Sequence, residues 1–264
     1  ERGGGFLRNR VAESAEYAIS RKKGKRTMKR VVLDPLEYRI DRSSLLAKGH
    51  LKEGSKHAKK VEGLIREAEA VAHPKAIYRM AFIESRGDQH VVAEGLRFES
   101  RVLKVNLDKL HRFFAFVVTS GLELDAWTND KTDLLEHFWA DVINEAVVIS
   151  TRSFLDRHLQ EWYGLAKTAR MSPGSLPDWP IEQQRGLFEL LGDTKKAIGV
   201  ELKENFLMVP VKSVSGIFFS NEEGFTSCQL CPRKDCPGRK APYDPGLYER
   251  KYRGPSENSH LGHS

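Results

Sequence analysis

The sequence predicts an α+β fold in which an antiparallel, twisted sheet packs with helices, and three observations carry that prediction. Strand-type and helix-type segments follow one another irregularly, without the strict alternation that builds a parallel sheet. Residues 113–119 are a continuous apolar run ending at Ser120-Gly121, the pattern of a strand covered on both faces. Residues 133–162 repeat apolar positions at steps of four and three, the pattern of a long amphipathic helix.

Each element has its own reason. From Met28, Val31-Val32-Leu33 reads as a short strand that Pro35 stops. Residues 43–72 read as a helix through Leu45, Leu46, Leu51, Val61, Leu64 and Ile65. Residues 76–82 and 91–107 read as strands, with Gly87-Asp88 as the turn between them. In the long helix Asp133 and Glu136 make an N-terminal capping pair. Leu135, Trp139, Val142, Ala146, Ile149 and Ser153 form its expected core face, with Glu145 at the border. A second helix over 181–191 stops at Gly192. Between these helices, residues 172–180 hold three prolines and one glycine in nine positions, which predicts a rigid irregular loop. Residues 200–211 and 215–220 read as a late pair of strands.

A chain of 264 residues, 40% hydrophobic and 30% charged, can bury one substantial core. Its longest uncharged apolar run is far below the roughly 20 residues of a membrane span. The Arg/Gly-rich start has no apolar signal region, so the cytoplasm is the expected location. The formal charge of +7 is concentrated at the start, where residues 1–27 carry +5 and all the rest only +2. A polyanion-binding domain needs its basic excess on a folded face, so nucleic acid is not the expected partner. Lys22-Lys23-Gly24-Lys25-Arg26-Thr27 stands just before Met28, as translated purine-rich codons of a ribosome-binding site would. Met28 is therefore a candidate native start, with a disordered basic arm as the alternative. The expected organisation is a basic tail over 1–27, the α+β domain over 28–225, a Cys-rich metal loop over 226–245 and a disordered tail over 246–264.

Two motifs carry chemistry. In Arg170-Met171-Ser172-Pro173-Gly174, proline and glycine leave the main chain open to a polar ligand, and the arginine offers a fork for a carboxylate. The second is Ser213-Val214-Ser215-Gly216-Ile217-Phe218-Phe219-Ser220. They stand in an ordered series with Val118-Thr119-Ser120-Gly121, Ala140-Asp141-Val142-Ile143-Asn144-Glu145-Ala146 and Leu187-Phe188-Glu189-Leu190-Leu191. That series, covering about 113–220, resembles the activation domain of cobalamin-dependent methionine synthase.

The resemblance implies that Glu145, Arg170, Pro173 and Gly174 hold S-adenosylmethionine, with Phe218 at the position of the family's tyrosine. It further implies reductive methylation of cob(II)alamin, with the cobalamin carried by a separate corrinoid protein, and with that protein's methyltransferase and an electron donor as partners. A carboxylate suits the ligand's positive charge and a guanidinium suits its carboxylate. Taken alone, Glu145 reads as a solvated helix acid and Arg170 as a surface ion pair. Phe218 lacks the family's hydroxyl, and the family's proline-cysteine-proline is replaced by Leu176-Pro177-Asp178-Trp179-Pro180.

All three cysteines, Cys228, Cys231 and Cys236, fall within nine residues, a metal-type spacing in a reducing compartment. An iron–sulfur cluster is the sharper expectation, with zinc as the alternative; His260 and His263 are the nearest downstream histidines for a zinc site. The spacing is not that of radical S-adenosylmethionine enzymes. His137 with Asp133 and Asp141 reads as a solvated face. No Ser-His-Asp order, P-loop or Gly-x-Gly-x-x-Gly occurs. Two further readings stay open: a non-catalytic module that docks a corrinoid protein or methyltransferase around a structural zinc, and a zinc-knuckle nucleic-acid binder.

Overall fold

The computed structural model describes residues 19–22, 25–236 and 238–253. Most of the basic tail, and residues 254–264 with His260 and His263, lie outside the described residues.

In chain order the elements are strands β1 (Ile19–Lys22), β2 (Lys25–Met28) and β3 (Val31–Leu33), helices α1 (Arg42–Lys48) and α2 (Lys56–Val71), strands β4 (Lys75–Arg86), β5 (His90–Ala93) and β6 (Leu96–Glu99), and helix α3 (Arg101–Asn106). Then come β7 (Arg112–Thr119), α4 (Leu122–Asn129), α5 (Leu134–Tyr163), β8 (Thr168–Met171), α6 (Gln184–Leu191), α7 (Thr194–Ile198), β9 (Glu201–Leu202), β10 (Met208–Val209) and β11 (Ser213–Ser220). Seven strands form the main sheet in the order β6-β5-β4-β7-β11-β8, with β3 also beside β4. Every pairing in it is antiparallel, as expected for the α+β class.

Strand β7 sits at the centre of this sheet, and its alternation explains why it is apolar throughout. Phe113, Ala115 and Val117 face a core shared with α3 and α6. Phe114, Phe116 and Val118 face a second core that α5 closes with Val148, Leu155 and Leu159. A third core lies between α2, α4 and the first half of α5. Helix α5 thus joins two cores. Its buried face runs through Trp139, Ile143, Val147, Thr151, Leu155 and Leu159, not through the expected Leu135, Ile149 and Ser153. Steps of four residues advance about 40° around a helix, so this face turns with length from the helical layer to the sheet.

Three other expectations need correction. The helix over 43–72 is broken, because Gly54 takes φ +76° and Ser55 caps a new helix by accepting the Ala58 N–H at 3.1 Å. The strand over 91–107 is a hairpin turned by Glu94 and Gly95, both at positive φ, and Ser100 then caps α3. The strand expected over 200–211 is instead two two-residue strands, β9 and β10, paired with each other. The disorder expected beyond 245 does not extend to residues 246–253: a turn of helix forms there, and Tyr252 is fully buried with its hydroxyl 3.2 Å from Asn106 Oδ1.

One contact seats the loop that follows β8. A Cβ on Gly216 would lie 2.5 Å from the Met171 carbonyl oxygen and 2.7 Å from Ser172 Oγ. Gly216→Ala is therefore expected to destabilise the protein by about 1–3 kcal/mol, as overpacking against main chain does. Urea unfolding of the two proteins measures it; an unchanged midpoint would mean that the loop is free to retreat.

Candidate functional site

Strand β8 and the loop over 172–180 are held from three sides. Across β11, Phe218 pairs with Arg170 and Ile217 with Met171. Within the loop, Gly174 adopts φ +79° and donates its N–H to the Trp179 carbonyl at 2.7 Å, while Ser175 turns back on the Ser172 carbonyl through both N–H and hydroxyl. Asp178 then caps α3, accepting the N–H groups of Arg101 and Val102 at 3.2 and 3.0 Å and the Ser100 hydroxyl. Trp179 is fully buried beside it. Proline has no N–H and that of Gly174 is used internally, so Pro173 and Gly174 shape the loop and do not offer free donors.

The other motifs fasten the neighbouring ends of the sheet. Thr119 Oγ1 accepts the Gly121 N–H at 3.2 Å, and Ser120 donates to the Lys212 carbonyl through its N–H and its hydroxyl. Asp141 on α5 meets Lys212 Nζ at 2.9 Å, one residue before the Ser-Val-Ser-Gly stretch. Asn144 Nδ2 donates to Thr128 Oγ1 at 3.1 Å.

The candidate ligand residues do not all converge. Glu145 is paired with Lys48 at 3.1 Å on the side of α5 that faces α1. Phe218 is buried and stacks on Phe116, with ring centroids 4.5 Å apart, so its side chain is not available to a ligand. Arg170 alone stands in a concentration of charge. Burial lowers its pKa, with Asp156 and the Cys228 sulfur opposing. Arg152, on the same helix as Asp156, is pulled down to about 10 by burial and by Arg170. Lys240 is lowered by burial and then by Arg170 and Arg152.

Sequence reasoning missed Arg152, Asp156 and Lys240. Spacing held one signal, since Arg152 and Asp156 are four residues apart on one helix face. Asp156 is anchored from β8, where the Thr168 hydroxyl donates to it, and from Gln160 at 3.2 Å.

The segment after β11 closes over this region. Ser227 Oγ donates to the Arg170 carbonyl at 3.3 Å. A mostly apolar cavity of about 370 Å³ lies between the 172–180 loop and this extension, lined by Leu176, Pro177, Leu230, Tyr243 and Tyr248 among others. Arg239 folds the extension by donating to the carbonyls of Cys228, Ala241 and Cys231 at 3.0, 3.3 and 3.2 Å, and to that of Arg233. Among the described residues no three His, Cys, Asp or Glu side chains are grouped as a metal site, and Cys228, Cys231 and Cys236 form no disulfide. Burial pushes the Cys228 thiol up, but the N–H groups of Lys240 and Ala241, the Thr226 hydroxyl and Arg239 outweigh it and hold the pKa below the ordinary thiol value.

No helix among the described residues is long and apolar enough to cross a membrane. Residues 113–226, from β7 to just before Cys228, match the family model described as the activation domain of vitamin B12 dependent methionine synthase. No curated protein matches the chain. The chain is similar to a crystal structure of the MetH reactivation domain bound to AdoHcy, with 16% identity, 75% of this chain and 81% of that chain covered, and a TM-score of 0.54. At that identity the likeness is one of fold.

With four carbonyls on one guanidinium, Arg239→Ala is expected to cost the extension at least about 2 kcal/mol of local stability. Amide exchange should quicken at least tenfold over 228–241 and stay slow in β7. Unchanged exchange in this variant would mean that something other than Arg239 holds the loop.

Proposed function

Starting from a chain whose residues 113–226 match the model of the activation domain of vitamin B12 dependent methionine synthase, we propose that this protein binds S-adenosylmethionine and returns an oxidised corrinoid protein to its methylated state. The observation that carries this reading is Arg170. Its guanidinium stands where β8 enters the Pro-Gly loop, and it forms no hydrogen bond or ion pair among the described residues. Such a group is set to take a carboxylate in bidentate fashion.

The reaction is a balanced sum. One electron from a donor protein and one methyl cation from S-adenosylmethionine convert cob(II)alamin to methylcob(III)alamin and leave S-adenosylhomocysteine. The corrinoid, brought by the partner, carries the demanding chemistry, and this chain contributes binding and orientation. Its residues act in a definable order of importance. Arg170 takes the carboxylate of the methyl donor. The main chain of Phe218 and the turn at Pro173-Gly174 shape the adjoining wall. Glu145 contributes only if it leaves Lys48, so its share is smaller. The electron comes from a separate donor; the extension that holds the cysteines is built on Arg239 and serves here as a wall of the site.

Calorimetric titration with S-adenosylhomocysteine tests this reading. Arg170→Ala is expected to weaken binding about 10–100-fold, the worth of a charge-assisted hydrogen bond of about 1.5–3 kcal/mol. Glu145→Gln should weaken it less. A wild-type protein that binds neither S-adenosylmethionine nor its demethylated product sinks the proposal.

A further inference from the structure

Three cations meet beside β8 with too little negative charge to match them. Arg152 comes from α5, Arg170 from β8 and Lys240 from the C-terminal extension; Arg170 depresses the charging of Arg152, and both arginines depress that of Lys240. No ion pair or hydrogen bond engages either guanidinium or Lys240 Nζ among the described residues, and Arg152 Nε is fully buried without a partner. Among the described residues, Asp156 is the single carboxylate facing all three. One of its oxygens, Oδ1, is held by the Thr168 hydroxyl and the Gln160 amide, which fixes the side chain and leaves Oδ2 unengaged among the described residues. The remaining group is the Cys228 sulfur, which accepts the Lys240 N–H at 3.4 Å and so ties Lys240 to the cluster.

Like charges gathered in a partly buried place are costly unless an anion completes them. The surplus is positive and an acid lies at its edge. That arrangement complements a ligand with a carboxylate beside an ammonium, which is the α-amino acid end of a molecule. Guanidinium groups hold carboxylates through paired N–H donors, while an ammonium from the extension acts as a point charge that arrives when the extension is docked.

From this geometry we infer that Arg152 and Lys240 join Arg170 in one oxyanion site for the α-carboxylate of the methyl donor, that Asp156 receives the donor's ammonium, and that the C-terminal extension is thereby part of the binding site. The inference rests on the reading that the protein binds S-adenosylmethionine. It adds three contacts, of which Lys240 lies beyond the segment that the family model matches. The docking contact between Ser227 and the Arg170 carbonyl makes Lys240 the closing member of the site. Arg239, which ties the carbonyls of Cys228 and Cys231 to that of Ala241, sets where Lys240 stands.

Two probes separate this inference from the reading it rests on. S-adenosylhomocysteine carries the amino acid end, and 5′-methylthioadenosine has the same nucleoside without it. Calorimetry on the full chain is expected to show that Lys240→Gln and Arg152→Gln each weaken S-adenosylhomocysteine about tenfold or more. Both should leave the weaker binding of 5′-methylthioadenosine unchanged. Arg152→Lys, which keeps the charge, should retain most of the affinity, and it keeps the test valid if the glutamine variant folds poorly. Asp156→Asn should weaken only the ligand that has the ammonium. If the wild type binds S-adenosylhomocysteine and the Lys240 and Arg152 variants bind it equally well, the oxyanion site is refuted while the proposed function stands. If the wild type binds neither probe, the proposed function and this inference fail together. Equal losses for both probes would also overturn the inference, because they would place the cluster at the nucleoside or reveal a general loss of structure.

Discussion

The site depends on one close approach, that of Gly216 to the chain leaving β8. Strand β11 pairs with β7 on one side and β8 on the other, so it must carry a nearly continuous apolar face toward both cores. At position 216 the Met171 carbonyl and the Ser172 hydroxyl occupy the space a side chain would need. Because the residue there is glycine, the loop lies directly on the sheet and Arg170 is held in register with Phe218. Loop rigidity follows from the same seating. Asp178 and Trp179 can then reach α3 and the core beneath it, which fixes the far end of the loop.

Helix α5 sets the second coordinate of the site through its length. Thirty residues at 1.5 Å each make a rod of about 45 Å. Its first half is tied to the helical layer and to β11 through Asn144 and Asp141, and its second half lies against the sheet beside β8. The buried stripe rotates along the way, so residues seven apart do not serve the same neighbour. Glu145 therefore faces α1 and Lys48, whereas Arg152 and Asp156 reach the surroundings of Arg170. A site built from the second half of this helix includes a guanidinium and a carboxylate that belong to no recognised motif.

Legibility in the sequence tracked the range of the interaction. The apolar run of β7, the cap at Asp133 and the Pro/Gly loop are local patterns, and each is found where its pattern placed it. The hairpin at Glu94-Gly95 was hidden because residues 91–107 carry strand-forming side chains on both sides of the turn. Position 170 was legible from its motif, but its neighbours were not. Arg152 and Lys240 lie 18 and 70 residues away from it in the chain, and nothing in their immediate sequences marks them. The cysteine spacing predicts a metal site, and among the described residues no three metal-type side chains are grouped as one. What spacing did not disclose is that Arg239, three residues after Cys236, supplies the bonds that make the loop compact.

The charge around Arg170 is hard to explain as a contribution to stability. A partly buried guanidinium without a counter-ion costs free energy, and replacing such groups by apolar ones is often neutral or stabilising. Here two arginines and a lysine are drawn together from three separate parts of the chain, and Arg152 even buries an unpartnered Nε. Asp156 offsets part of the cost, yet one of its oxygens is held by Thr168 and Gln160. Local rules are broken in folded proteins mostly where function requires it. A ligand anion in the inferred oxyanion site resolves the imbalance at its source, because it neutralises all three cations at once. The charge that destabilises the free site is then the charge that holds the ligand in the occupied one.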